Sequence, residues 1–288
     1  MPELYWTKAG QQRVLGRYAA LLHDCQIPNE QRRVSTCMGE TFVLSCGPAR
    51  APPLILLHGG NTNSLMWLRS LEAWSQRHHV HAIDTIGDPG FSDSVRPDFA
   101  TDAHARWLDD VWRALGVTRA AVVGASLGGW IALDYATRRP DGIERLALLA
   151  PAGIVRMDLG SQLKVAGLML LGARGRRKAL EISFGLDNDM THPASLDAAN
   201  REFLQFQGLV QTGFLSRIRL PAVIPDAALR SIDVPMLVVL GDRDIFFRAD
   251  RMQQRVAVCL PRAQVHCLKN MGHGLGNPTE LVAGFLAS

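Results

Sequence analysis

The chain has almost no charge imbalance. Lys and Arg number 31 against 27 Asp and Glu, a net +4, with the two signs interleaved along most of the sequence. Such a balance offers no basic surface for a nucleic acid. The densest basic run, Arg174, Arg176, Arg177 and Lys178, reads as a solvated turn, with steering of anionic substrates as a second reading. Cysteine is sparse. Five residues (Cys25, Cys37, Cys46, Cys259, Cys267) form no C-x-x-C pair and have no metal-ligand spacing. An odd count fits reduced thiols in a reducing compartment. Long hydrophobic runs are missing. Met1 to Gly10 carries charge and no apolar core of a signal peptide, and the most apolar stretch, Val165 to Leu171, is far too short to span a bilayer. No internal repeat and no low-complexity tail is present. The expectation is a cytoplasmic protein with no membrane span and no nucleic-acid partner, a monomer or homodimer.

What the chain does have is apolar content, 47% over 288 residues, enough for one large core or a core plus an insertion. Gln11 to Leu22 shows helical spacing. Arg33–Cys37 and Thr41–Cys46 flank Met38-Gly39-Glu40 as a two-stranded hairpin. Leu54-Ile55-Leu56-Leu57 is a continuous apolar run, the mark of a strand buried on both faces. Strand-like segments at Val80–Ile83, Ala120–Val123 and Ile143–Leu149 then alternate with helical ones at Met66–Trp74, Thr101–Leu115 and Trp130–Arg138, with Gly116 as a C-cap. This alternation predicts an α/β fold with a mostly parallel sheet covered by helices on both faces.

The alternation breaks between about Pro151 and Leu229. Helical stretches around Gln162–Leu171, Arg177–Phe184 and Ser195–Phe214 replace it. It resumes with a strand at Val234–Leu240, a helix near Arg248–Cys259, a last strand at Gln264–Leu268 and a last helix at Thr279–Leu286. The expected division is a core of residues 1–150 and 230–288 and a helical cap inserted at 151–229. Leu168, Met169, Leu171, Phe184, Phe203, Phe206 and Phe214 would roof an apolar pocket or pack the cap onto the core.

Gly124-Ala125-Ser126-Leu127-Gly128-Gly129 sits between an apolar strand and a helix. G-x-S-x-G in that context is a nucleophile elbow, with the serine on a sharp turn and glycines where a side chain would collide. A serine hydroxyl needs a base, and the base needs an orienting acid, in the chain order Ser, Asp/Glu, His. Both should lie just past the C-terminal ends of later strands. The strand ending at Leu149 is followed by no carboxylate, and the strand ending at Leu240 by Gly241-Asp242-Arg243-Asp244. Asp244 is taken as the acid. Asp242, next to the strand end, is assigned to backbone N–H groups of the turn.

Gly272-His273-Gly274 follows the last strand and supplies the base. Of the other histidines, His78, His79 and His81 bracket a strand start and are expected at the surface. His104 and His192 fall in helical or loop stretches, and His266 inside a strand. The oxyanion hole pairs the N–H of Leu127 with one from His58-Gly59-Gly60-Asn61, where Gly60 is the donor candidate and His58 holds the loop shape. Trp67 and Trp130 flank these loops as packing residues. No metal or organic cofactor is called for.

These four markers together resemble the α/β-hydrolase superfamily over nearly the whole chain, from about Arg33 onward. Pro52–Gly59, Ser64-Leu65-Met66-Trp67 and Ala82–Asp88 are similar to bacterial carboxylesterases of the naproxen-esterase type. The resemblance implies an eight-stranded sheet with a cap. Most relatives carry G-H-G-x-S after the fourth strand. Here the turn is Gly87-Asp88-Pro89-Gly90-Phe91-Ser92, one residue longer and without histidine, which fits that esterase subgroup. The implied activity is hydrolysis of small to medium apolar carboxylic esters through an acyl-enzyme. The rivals are carbon–carbon bond hydrolysis of a diketone, a lyase or haloperoxidase-like activity, and a ligand receptor on a hydrolase fold.

Overall fold

The computed structural model describes residues 4–185, 198–217 and 221–288. The chain opens with α1 (Lys8–His23), then β1 (Asn29–Thr36) and β2 (Gly39–Cys46). β3 (Pro53–Leu57), a 3₁₀ turn (Ser64–Trp67), α2 (Leu68–Ser75), β4 (His79–Ile83), α3 (Ala103–Leu115), β5 (Ala120–Ala125), α4 (Leu127–Arg138) and β6 (Ile143–Leu149) follow. α5 (Leu159–Leu170), α6 (Gly172–Phe184), α7 (Ala198–Gly213) and α8 (Asp226–Arg230) lie between β6 and β7 (Met236–Gly241). α9 (Ala249–Cys259), β8 (Gln264–Leu268) and α10 (Thr279–Ala287) complete the chain.

The eight strands form one sheet in the order β1-β2-β4-β3-β5-β6-β7-β8. β1 and β2 pair antiparallel, β2 joins β4 antiparallel, and every pairing from β4 onward is parallel. Side chains alternate across a strand. Ile55 and Leu57 therefore join a cluster with Trp107, Val111, Ile131 and Met252 on one face, while Leu54 and Leu56 join Tyr18, Leu71, Trp74 and Phe285 on the other. These four β3 side chains are fully buried, and only Pro53 at the strand start is not. Each such burial stabilises by about 2 kcal/mol, so the continuous apolar run is what two covered faces demand.

Several expectations shift. The hairpin turns one residue earlier, at Cys37-Met38, because Gly39 takes φ +104° at the start of β2. Arg174 to Lys178 lie on α6 and not in a turn. His81 is buried in β4, where its Nδ1 hydrogen-bonds Ser45 Oγ of β2 at 2.8 Å. His104 is buried in α3 and stacks on Phe99. His192 and the start of the Ser195–Phe214 stretch lie outside the described residues. Gly116 caps α3 in the left-handed region, φ +69°, as its position implies.

The inserted helices do not all face one way. α7 lays Phe206 against Tyr18 of α1, and Phe214, just past its end, edge-on against Tyr5 at 5.4 Å. Phe206 and Phe214 are buried in the same cluster as Tyr18, packed onto the core. Leu171 is 69% exposed. No helix among the described residues is long and apolar enough to cross a membrane.

Candidate active site

Ser126 sits where β5 gives way to α4, at φ +48°, ψ −111°. That is a strained conformation for any residue with a Cβ and persists only where the surroundings enforce it. Three backbone hydrogen bonds do so. Ser126 N–H donates to Leu149 O at 2.9 Å, and Ser126 O accepts from Trp130 and Ala152 N–H at 3.1 and 3.0 Å. The elbow's glycines have separate reasons. A Cβ on Gly124 would lie 2.6 Å from Gly128 O, the first turn of α4. A Cβ on Gly128 would overlap Leu57 O at the end of the neighbouring strand β3.

The expected acid and base, Asp244 and His273, reach Ser126 from beyond the ends of β7 and β8. Asp244 Oδ1 accepts the N–H groups of Phe246 and Phe247 at 2.8 and 3.1 Å, which turns Oδ2 toward His273. His273 Nδ1 lies 2.8 Å from Asp244 Oδ2, and His273 Nε2 lies 3.0 Å from Ser126 Oγ. A carboxylate only accepts, so the imidazole proton belongs on Nδ1 and Nε2 faces the serine as a bare base. The ring is held between Phe246 and Phe247, at 5.3 and 5.5 Å between centroids. Its loop passes so close to β7 that a Cβ on Gly241 would overlap Met271 O. Asp242 is exposed, and the turn N–H groups assigned to it are bound by Asp244 instead.

Gly59 and Gly60 follow β3 and pack on the elbow. A Cβ on Gly60 would sit 3.4 Å from Leu127 Cδ2. Leu127 opens α4, so its N–H has no partner within the helix. His58 is buried. Its Nε2 accepts Thr85 N–H at 2.8 Å, so Nδ1 carries the proton and donates to Gly59 O at 2.7 Å.

Two buried carboxylates brace this loop, and neither was singled out from the sequence. Asp84 Oδ1 accepts from Tyr18 OH, Ser64 N–H and Ser64 Oγ at 2.9, 2.9 and 2.7 Å, and Oδ2 accepts Phe91 N–H at 2.9 Å. Asp88 Oδ1 accepts Asn61 N–H at 3.2 Å, while Oδ2 is buried without a partner. Burial pushes the Asp88 carboxyl above its usual range, and the nearby Arg217, His58 and Arg96 oppose that rise. The signal for both was an aspartate at a strand end or in a Gly/Pro turn. Their burial depends on α1 and on residues after α7, which no local pattern shows.

A cavity of about 230 Å³ opens above Ser126, His273 and Gly60. Its walls are mostly apolar and include Leu65, Met66, Trp67, Phe184, Phe203 and Leu275. Phe184 and Phe203 are the expected lining residues that the structure brings here, whereas Leu168 and Met169 do not reach it. Leu21, Leu204 and Gln207 line it without having been anticipated. Among the described residues no group of three or more His, Cys, Asp or Glu is arranged to hold a metal ion.

The model of the alpha/beta hydrolase fold family matches residues 52–275, and the chain belongs to that family. Two relatives that match most of the chain are named carboxylesterases. Carboxylesterase YbfK of Bacillus subtilis is 32% identical over 252 residues, 86% of this chain and 82% of that protein. The crystal structure of the same B. subtilis enzyme, carboxylesterase CesB (YbfK), superposes with TM-score 0.81 at 30% identity, covering 96% of this chain and 98% of that one. The naproxen esterase (carboxylesterase NP) structure from B. subtilis gives TM-score 0.83 at 28% identity, covering 99% of this chain and all (100%) of that one.

Proposed function

We propose that the chain is a serine carboxylesterase working through Ser126, His273 and Asp244. The observation that carries this reading is the unbroken hydrogen-bonded series Asp244–His273–Ser126, at 2.8 and 3.0 Å, at the floor of an apolar cavity. Resemblance to carboxylesterases over most of the chain supports the ester as substrate.

His273 Nε2 takes the Ser126 Oγ proton as Oγ attacks the ester carbonyl carbon. The tetrahedral oxyanion is held by the N–H groups of Gly60 and Leu127. His273 returns the proton to the alcohol oxygen as the C–O bond breaks, leaving an acyl-enzyme. Water, deprotonated by the same nitrogen, then releases the acid. Asp244 stays ionised and keeps the proton on Nδ1. The inserted helices act as a cap, with Phe184 and Phe203 selecting small to medium apolar groups, and nothing in the mechanism requires a cofactor.

Turnover of nitrophenyl esters from acetate to dodecanoate by wild type and Ser126→Ala tests this. The expected result is activity that the substitution lowers on the order of 10⁴-fold or more. Ester turnover far below the rate on a ring-cleavage diketone would move the assignment to carbon–carbon hydrolysis.

A further inference from the structure

α5 carries an apolar stripe that nothing among the described residues covers. Leu159, Leu163 and Leu170 are 68%, 65% and 86% exposed, and Leu171 beyond them is 69% exposed. At 100° per residue, Leu159, Leu163, Ala166 and Leu170 fall within one narrow arc of the helix. Four of the six large apolar side chains that stand out most into solvent, among the described residues, lie on this short segment. No residue of α5 is buried. The helix is nonetheless well formed. Asp158 caps it by accepting Ser161 N–H at 2.8 Å. α6 packs against it so closely that a Cβ on Gly175 would overlap Leu168 O.

Charge is concentrated on the same two helices. Residues 155–185 hold six cations, Arg156, Lys164, Arg174, Arg176, Arg177 and Lys178, against two carboxylates, Asp158 and Glu181. That is +4, equal to the net charge of the whole chain, so everything else sums to zero. Glu181 pairs with Arg177 and Lys178 at 2.9 and 3.5 Å. Lys164, Arg174 and Arg176 have no ion pair among the described residues. α6 then ends at Phe184, which lines the active-site cavity.

An exposed leucine stripe on a helix pair that carries cations without an ion pair among the described residues has the chemistry of a segment lying in an anionic interface. We propose that the α5–α6 pair docks on an anionic phospholipid surface, with the leucines in the acyl boundary and the cations on the lipid phosphates. A second copy fits less well, because two-fold pairing of this face would bring +4 against +4. A folded acidic protein would need a recess for each leucine. A fluid lipid surface receives side chains that stand out from the helix without any prior fit. The proposal is independent of the esterase reading.

The test is vesicle flotation at low and high salt. Wild type should float with phosphatidylglycerol-containing vesicles and much less with phosphatidylcholine alone, and added salt should release it. The double variant Leu163→Asp/Leu170→Asp should lose at least about tenfold in affinity. Lys164→Gln and Arg174→Gln should each lose roughly fivefold in affinity. Every variant should keep wild-type thermal unfolding and wild-type turnover of soluble nitrophenyl acetate. The proposal is overturned if wild type does not bind anionic vesicles, or if it binds them equally without the leucines. It is also overturned if wild type is a dimer that the leucine variants split.

Discussion

Asp88→Ala should cripple catalysis without touching the substrate. Asp88 is 2% exposed and accepts the N–H of Asn61, the residue after Gly60, the proposed oxyanion donor. Asn61 stands at φ +59°, in the left-handed region, where a side chain costs about 1 kcal/mol or more. Removing the carboxylate leaves that N–H without its acceptor, a loss of roughly 1–3 kcal/mol. The strained loop then has reason to relax, and a shift of about 1 Å in a catalytic donor can lower rate on the order of 10²-fold. Through those steps kcat should fall about 10- to 100-fold, with KM changed less than roughly threefold. Asp88→Asn keeps a carbonyl acceptor at the same place and should retain kcat within about fivefold. Steady-state kinetics on a nitrophenyl ester, together with thermal unfolding of both variants, reads this out. Affinity for a boronic acid, which mimics the tetrahedral state, should fall in parallel with kcat/KM. A folded Asp88→Ala with wild-type kcat would refute the reasoning, as would equal losses in the two variants.

Other perturbations test other links. Asp244→Asn should leave the fold intact and lower kcat on the order of 10⁴-fold, because an amide can hold the wrong imidazole tautomer. Gly128→Ala pushes a methyl into Leu57 O and should destabilise by about 3 kcal/mol in thermal unfolding. Acid stability follows from two histidines. Burial pushes His81 and His104 down to about 3, from an ordinary 6.5. Below pH 6.5 the unfolded chain binds up to two more protons than the folded one. Stability is therefore complete above that pH and falls as pH drops, at about 2.7 kcal/mol per unit at the steepest. Asp88 and Asp134, raised by burial, have the opposite sign, so their contribution is lost as pH rises from the ordinary carboxylate range. His104 has both ring nitrogens buried without partners, so His104→Phe should roughly halve the slope in urea titrations at stepped pH.

The parallel sheet and its alternation with helices are written in the sequence because they depend on local runs such as Leu54–Leu57 and on turn glycines. Ser126, Asp244 and His273 could be proposed together because each stands just past a strand end in the order an elbow requires. What escaped depends on pairing across the sheet or on distant elements. His81 looks polar and exposed in its own strand, yet β4 lies between β2 and β3 and Ser45 satisfies it there. The aromatics of 198–214 advertise an apolar helix but not which edge faces the cavity. Phe203 lines it, whereas Phe206 is committed to α1. Asp88 is invisible as a brace until Arg217, far along the chain, is seen beside it.

Covalent chemistry at Ser126 is the step on which the proposed mechanism depends. Rapid mixing of enzyme with a nitrophenyl ester should give a burst of nitrophenolate stoichiometric with active sites when deacylation is the slower step. Acid-quenched enzyme should then carry one acyl group on the peptide containing Ser126, and Ser126→Ala should show neither burst nor adduct. Ester turnover that persists in Ser126→Ala, or an acyl group found on another residue, would contradict the account.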